Sequence, residues 1–208
     1  MSTYQTEEEQ VEAIKRWWKE NGTSVIAGLV IGLGGVFGWQ AWGNYQDRIG
    51  GEASIAFTQL ISAVQRGDNE SAEKQAQQLR DNFEGSSYAL FAGLSEARLK
   101  MEAGDSAAAK AKLEWVIKES KVPALTEMAQ LNLARILLDE GDLAGAEQQA
   151  RVKSGGFAGE FAQLRGDIAQ AKGDLETAEA AYTEAMSGKV SDRALLQMKL
   201  DDLAAVKP

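Results

Sequence analysis

Between Glu20 and Asp47 the chain carries no charged residue, and inside that gap residues 24–42 read SVIAGLVIGLGGVFGWQAW. At about 1.5 Å per residue a helix over this stretch spans roughly 29 Å, the thickness of a hydrocarbon core. Its strongly apolar members are Val25, Ile26, Leu29, Val30, Ile31, Leu33, Val36 and Phe37, and together they favour insertion by about 2 to 5 kcal/mol. A helix buried in a soluble core rarely carries Gly28, Gly32, Gly34, Gly35 and Gly38 together, because an interior glycine costs about 1 kcal/mol relative to alanine. Ala41-x-Gly43 offers the small pair of a signal-peptide cleavage site. The region before the span, however, contains Glu7, Glu8, Glu9, Glu12 and Glu20, whereas the start of a signal peptide is short and basic. A glycine-rich phosphate loop fails too, since Phe37 stands where a third glycine is needed. The expectation is therefore a single transmembrane helix over 23–43, preceded by a tail over 1–22.

Lys15, Arg16 and Lys19 lie just before the span and Arg48 alone just after it. That asymmetry predicts a cytoplasmic N-terminus and an exported C-terminal part, a type II topology. Trp17 and Trp18 on one side, with Trp39 and Trp42 on the other, stand where membrane-interface anchors are expected. Gly28, Gly32 and Gly35 share one helical stripe, and Gly34 with Gly38 marks a neighbouring one. Small residues let a second helix approach closely in lipid, so this face is a candidate contact for a partner helix.

After the span, Gly50-Gly51 reads as an interruption of the helical pattern, which makes 44–51 a linker. Residues 52–208 read as helical almost throughout, and a dipeptide recurs in them. Gly67-Asp68, Gly104-Asp105, Gly141-Asp142 and Gly173-Asp174 are spaced by 37, 37 and 32 residues, and each glycine is followed five positions later by Ala72, Ala109, Ala146 or Ala178. Glycine suits the left-handed residue that ends a helix, and aspartate suits the cap that begins the next. The period is close to that of the tetratricopeptide repeat, about 34 residues. The predicted pairs are 52–66 with 69–83, 87–103 with 106–119, 124–140 with 143–153, and 157–172 with 175–187. Ser191 would then cap a last helix carrying Leu195, Leu196, Met198, Leu200 and Leu203, which covers the open apolar face of the final repeat. The fold class is all-α: a transmembrane helix followed by a tetratricopeptide-like solenoid with a C-terminal capping helix.

Composition narrows the chemistry. The 208 residues include no His and no Cys, with 22 Lys and Arg against 31 Asp and Glu. Imidazole bases, thiolate nucleophiles, disulfides and ordinary zinc sites are excluded. A net charge of −9 argues against nucleic acid as a partner, because neutralising phosphates takes clustered cations. Glu7-Glu8-Glu9 and Asp201-Asp202 read as solvated charge runs, and Asp139-Glu140-Gly141-Asp142 lacks the alternating ligands of a calcium loop. No catalytic residue, metal ligand or cofactor is expected, which points to a protein whose work is contact.

The block Gln10-Val11-Glu12-Ala13-Ile14-Lys15-Arg16-Trp17-Trp18 with Glu20-Asn21-Gly22, the Gly38-Trp39 and Trp42 positions, and Leu196-Gln197-Met198-Lys199-Leu200 together resemble the YfgM family, the ancillary subunit of the bacterial Sec translocon. That resemblance implies an inner-membrane protein with a periplasmic repeat domain beside the Sec channel. It also implies pairing with a PpiD-type membrane-anchored periplasmic chaperone, so that translocating polypeptides pass to folding factors. A different reading is a signalling or stress-response adaptor that captures a cytoplasmic regulator through its tail, where Val11, Ile14, Trp17 and Trp18 form an apolar face. The same face also suits an interfacial helix lying against the bilayer. An envelope enzyme working with carboxylates is the weakest of the readings.

Overall fold

The computed structural model describes residues 7–153 and 155–206, and the regular elements among them are all α-helices. In chain order these are α1 (Glu7–Gln65), α2 (Asn69–Asn82), α3 (Ser87–Glu102), α4 (Ser106–Glu119), α5 (Pro123–Asp139), α6 (Leu143–Gln149), α7 (Ala158–Ala171), α8 (Leu175–Ser187) and α9 (Arg193–Val206). Residues 1–6 of the expected tail and 207–208 of the expected repeat domain lie outside the described residues. The chain divides into two compact units, Met1–Gly51 and Glu52–Pro208.

The first unit is the larger part of α1, and α1 corrects one expectation. Gly50 and Gly51 do not interrupt the helix, which continues to Gln65. Each glycine costs about 1 kcal/mol, but good helix formers stand on both sides and the backbone ladder carries the pair through. The apolar side chains of this unit face outward: Ile31 is 75% exposed, Phe37 64% and Trp39 79%. Among the described residues α1 is the one helix long and apolar enough to cross a membrane.

The second unit is a run of helix pairs, and its turns share one chemistry. Gly67, Gly104, Gly141 and Gly173 have φ of 70°, 77°, 82° and 79°, a region that costs any other L-residue about 1 to 2 kcal/mol. The aspartate that follows acts on both helices. Its amide closes the preceding one, as in Asp68 N to Ala63 O at 3.0 Å and Asp105 N to Lys100 O at 2.9 Å. Its carboxylate caps the next, with Asp68, Asp105, Asp142 and Asp174 accepting from the amides of Ser71, Ala108, Gly145 and Thr177. Helix end and helix start are thus satisfied by one residue.

Ala72, Ala109, Ala146 and Ala178, each in the second helix of a pair, are fully buried. Close approach occurs at Gly93, where an added Cβ would stand 2.8 Å from Val116 Cγ2, and at Gly166, which lies against the ring of Tyr182. Local apolar clusters follow the pairs. Leu60 and Leu79 belong to the first, Leu113, Val116 and Leu133 to the second, Phe161 and Leu164 to the third, and Tyr182, Leu196 and Leu203 to the last.

Two further expectations change. Helix α6 ends at Gln149 rather than at 153, because the carbonyls of Ala150 and Val152 turn aside to accept from Arg165 Nη1 at 3.2 and 2.9 Å. Asp192, not Ser191, caps α9: its carboxylate accepts from Leu195 N at 2.9 Å, while the Ser191 hydroxyl donates to Glu160. On α9, Leu196 and Leu203 are buried, but Leu195 and Met198 are 37% and 56% exposed, so the cap covers the last pair with only one side of its apolar set.

Candidate protein-binding surface

On α1, Gly28, Gly32, Gly34, Gly35 and Gly38 have open space where a Cβ would stand, with no described atom within 4 Å apart from neighbouring residues and the adjoining helix backbone. Trp17, Trp18, Trp39 and Trp42 are exposed by 53%, 51%, 79% and 61%. Trp17 and Trp18 lie tilted against each other with ring centroids 6.4 Å apart, and the Trp18 indole shields Gly22. These residues present a surface and are not covered by the chain. The Gly-Asp residues have another place: they build the turns between helices, and their groups are consumed by the turn hydrogen bonds.

A groove of about 310 Å³ lies between α3 and α5. Ala97, Leu113 and Ile136 form its apolar floor, Leu94, Arg98 and Met101 line it from α3, and Asn132, Arg135 and Asp139 line it from α5. On each helix the lining residues recur at three- and four-residue steps, the spacing that aligns side chains along one face. Arg98 pairs with Glu102 through Nε to Oε1 at 2.7 Å. Exposed Arg135 and half-buried Asn132 make no side-chain hydrogen bond or ion pair among the described residues. Sequence reading missed this pair of arginines, although a signal was present: Arg98 and Arg135 each stand six residues before a turn glycine, Gly104 and Gly141.

Several other charges hold helices together. Glu96, 4% exposed, is the buried charged residue of the described core. Its carboxylate meets Arg80 Nε at 2.6 Å and Lys112 Nζ at 3.2 Å, and the Arg80 guanidinium lies 5.4 Å from the Trp115 ring centroid. This ties α2, α3 and α4. A second set joins α7, α8 and α9: Tyr182 Oη donates to Asp167 at 2.6 Å, and Lys199 pairs with the same carboxylate. Burial and then the Asp167 carboxylate push the Tyr182 phenol above its ordinary range. Hydrogen bonds from Lys110 and then Ser106 hold Glu140 below the usual carboxylate range, and Lys172 does the same for Glu147. The Glu73 carboxylate raises Lys100. No cluster of three or more potential metal-ligating side chains occurs among the described residues.

Comparison with known proteins places this architecture. A tetratricopeptide repeat-like domain family matches residues 15–205. A Haemophilus influenzae protein named ancillary SecYEG translocon subunit is 34% identical over 95% of this chain and 97% of its own length. The proteins of that name from Escherichia coli and Neisseria gonorrhoeae are 29% and 26% identical, each over 98% of this chain and all of their own length. With the repeat turns, the apolar helix and this similarity along nearly the entire sequence in agreement, the chain belongs to the YfgM family, whose curated members carry the name ancillary SecYEG translocon subunit.

Proposed function

We propose that the protein is a non-enzymatic accessory subunit of the Sec translocon in the bacterial inner membrane. It links translocating or newly exported polypeptides to periplasmic chaperones through its repeat domain. The observation that carries this reading is the similarity over nearly full length to relatives named as translocon subunits, because it includes the apolar helix as well as the repeats. In this proposal α1 crosses the bilayer over 23–43 with the tail in the cytoplasm, the orientation favoured by Lys15, Arg16 and Lys19. The uncovered glycines at 28, 32, 34, 35 and 38 receive a partner helix, and Trp17, Trp18, Trp39 and Trp42 settle at the two interfaces. The repeat domain, 52–208, works on the side where exported chains emerge, with a PpiD-type chaperone as its protein partner.

The test is site-specific crosslinking in intact cells, from Gly32 in the span and from Arg135 in the repeats. The expected result is a translocon subunit at Gly32 and a chaperone or exported chain at Arg135. Correct insertion with neither adduct would remove the reading. Deleting residues 2–12 checks the tail separately: loss of function with both adducts retained would favour capture of a cytoplasmic regulator instead.

A further inference from the structure

The groove between α3 and α5 brings an unsatisfied amide and an unpaired guanidinium together on one face of α5. Asn132 is half-buried there with an amide donor and acceptor both unused, and one turn along α5 the Arg135 guanidinium is exposed and unpaired among the described residues. At the matching place in the last repeat pair the chain supplies the counter-charge itself. Asp167 stands six residues before Gly173, the place that Arg135 holds before Gly141, and it receives Tyr182 and Lys199 from α8 and α9. Arg135 makes no ion pair among the described residues, Asp139 one turn on included. Arg98, the matching residue of the preceding pair, meets Glu102, but both are solvent-exposed, and an exposed pair of this kind is weak enough to exchange partners. Between these polar groups Leu94 and Met101 offer an apolar wall.

We infer that this groove binds an extended polypeptide segment carrying an acidic side chain next to an aliphatic one. Asn132 holds a backbone amide of the segment, Arg135 takes the side-chain carboxylate with Arg98 in support, and the aliphatic side chain lies on Leu94 and Met101. A side-chain amide that both donates and accepts matches a peptide backbone unit, and a guanidinium fork matches a carboxylate. Asp139, the last residue of α5, sets direction by repelling the carboxylate from the helix end and keeping it near Asn132. The acid is an internal side chain, since a chain still being exported has no free C-terminus to present. In this respect the inference rests on the proposed role at the translocon and names the kind of segment that role would handle.

The test uses the full chain in lipid nanodiscs and a labelled, unstructured, C-terminally amidated peptide bearing leucine–glutamate pairs, compared with its glutamine and lysine counterparts. Fluorescence anisotropy should show the glutamate peptide binding at least about tenfold tighter than the glutamine peptide, as expected for a hydrogen bond to a charged group. Added salt should shrink that preference. Arg135→Ala should abolish the preference, Arg135→Lys should keep part of it, and Asn132→Ala should weaken both peptides alike. Because Arg135 is exposed and unpaired, an unchanged melting temperature is expected for its variants. Equal binding of the glutamate and glutamine peptides, a preference that survives Arg135→Ala, or tightest binding of the lysine peptide would each overturn the inference. Co-purification of the unmodified chain with SecYEG is read separately. If it persists while peptide discrimination is missing, the groove inference alone falls; if it is absent while discrimination is present, the translocon role alone falls.

Discussion

At the scale of single residues, the most demanding positions are those with no side chain. Gly166 lies against the fully buried ring of Tyr182, whose hydroxyl is held by Asp167 and Gln170. The ring cannot swing away without releasing those bonds. Gly166→Ala should therefore destabilise the repeat domain by about 1 to 3 kcal/mol, read as a shift in the urea midpoint. An alanine accepted there without loss would mean that the contact relaxes. Glu96 poses the opposite problem, a buried acid between two cations. Removing it leaves Arg80 and Lys112 facing each other across apolar surface. Since both side chains keep some water, at 19% and 24% exposure, Glu96→Ala should cost about 2 to 3 kcal/mol, less than a fully buried pair. A urea titration showing no change would identify the triad as neutral to stability. The Glu96 cost was not legible in the sequence: Glu96 looks like an ordinary member of an Ala-rich helix until α2 and α4 are placed beside it.

Individual helices differ in how much they depend on their ends. Helix α6 has seven residues, too few to persist on backbone bonding alone. It is held by Ala146 and Ala150 in the core and by the Asp142 cap on Gly145 N at 2.9 Å. Asp142→Ala should cost about 1 kcal/mol, and hydrogen exchange should speed up first over residues 143–150 before the other helices respond. In α1, Gly50 and Gly51 have open space at the Cβ position. Replacing both with alanine should strengthen the helix by about 1 kcal/mol per residue, seen as slower amide exchange around residues 47–55. If those amides are already as protected as the rest of α1, the pair is no weak point. Helix boundaries elsewhere were largely readable, because Gly-Asp fixes an end and a start with one dipeptide. Two departures fell where tertiary contacts decide: Arg165 pulls the end of α6 aside, and Glu160 engages the Ser191 hydroxyl, so that Asp192 caps the Leu195 amide.

For the whole molecule, the missing imidazole has a measurable consequence. With no His among the 208 residues, no side chain has an ordinary pKa between about 5 and 8, so thermal stability should be nearly flat across that window. Below it the sign is set by Asp68, Asp174, Glu140 and Glu147, all held under their ordinary range by hydrogen bonds formed in the folded chain. Such groups stabilise the fold at pH above their unfolded values, about 4, and that contribution is lost as pH falls through their lower folded values. The melting temperature should drop only below about pH 4, and a decline beginning near pH 6 would require another titrating group. The sequence alone determined the apolar span, the helical repeats and the exclusion of histidine and cysteine chemistry, because each depends on local composition or on a short period along the chain. Tertiary structure decided which charges are consumed inside the fold and which remain free. Glu96, Asp167, Arg98 and Arg135 are equally charged letters in the sequence, and only the placement of neighbouring helices separates the acids that hold the solenoid together from the unpaired arginine at its groove.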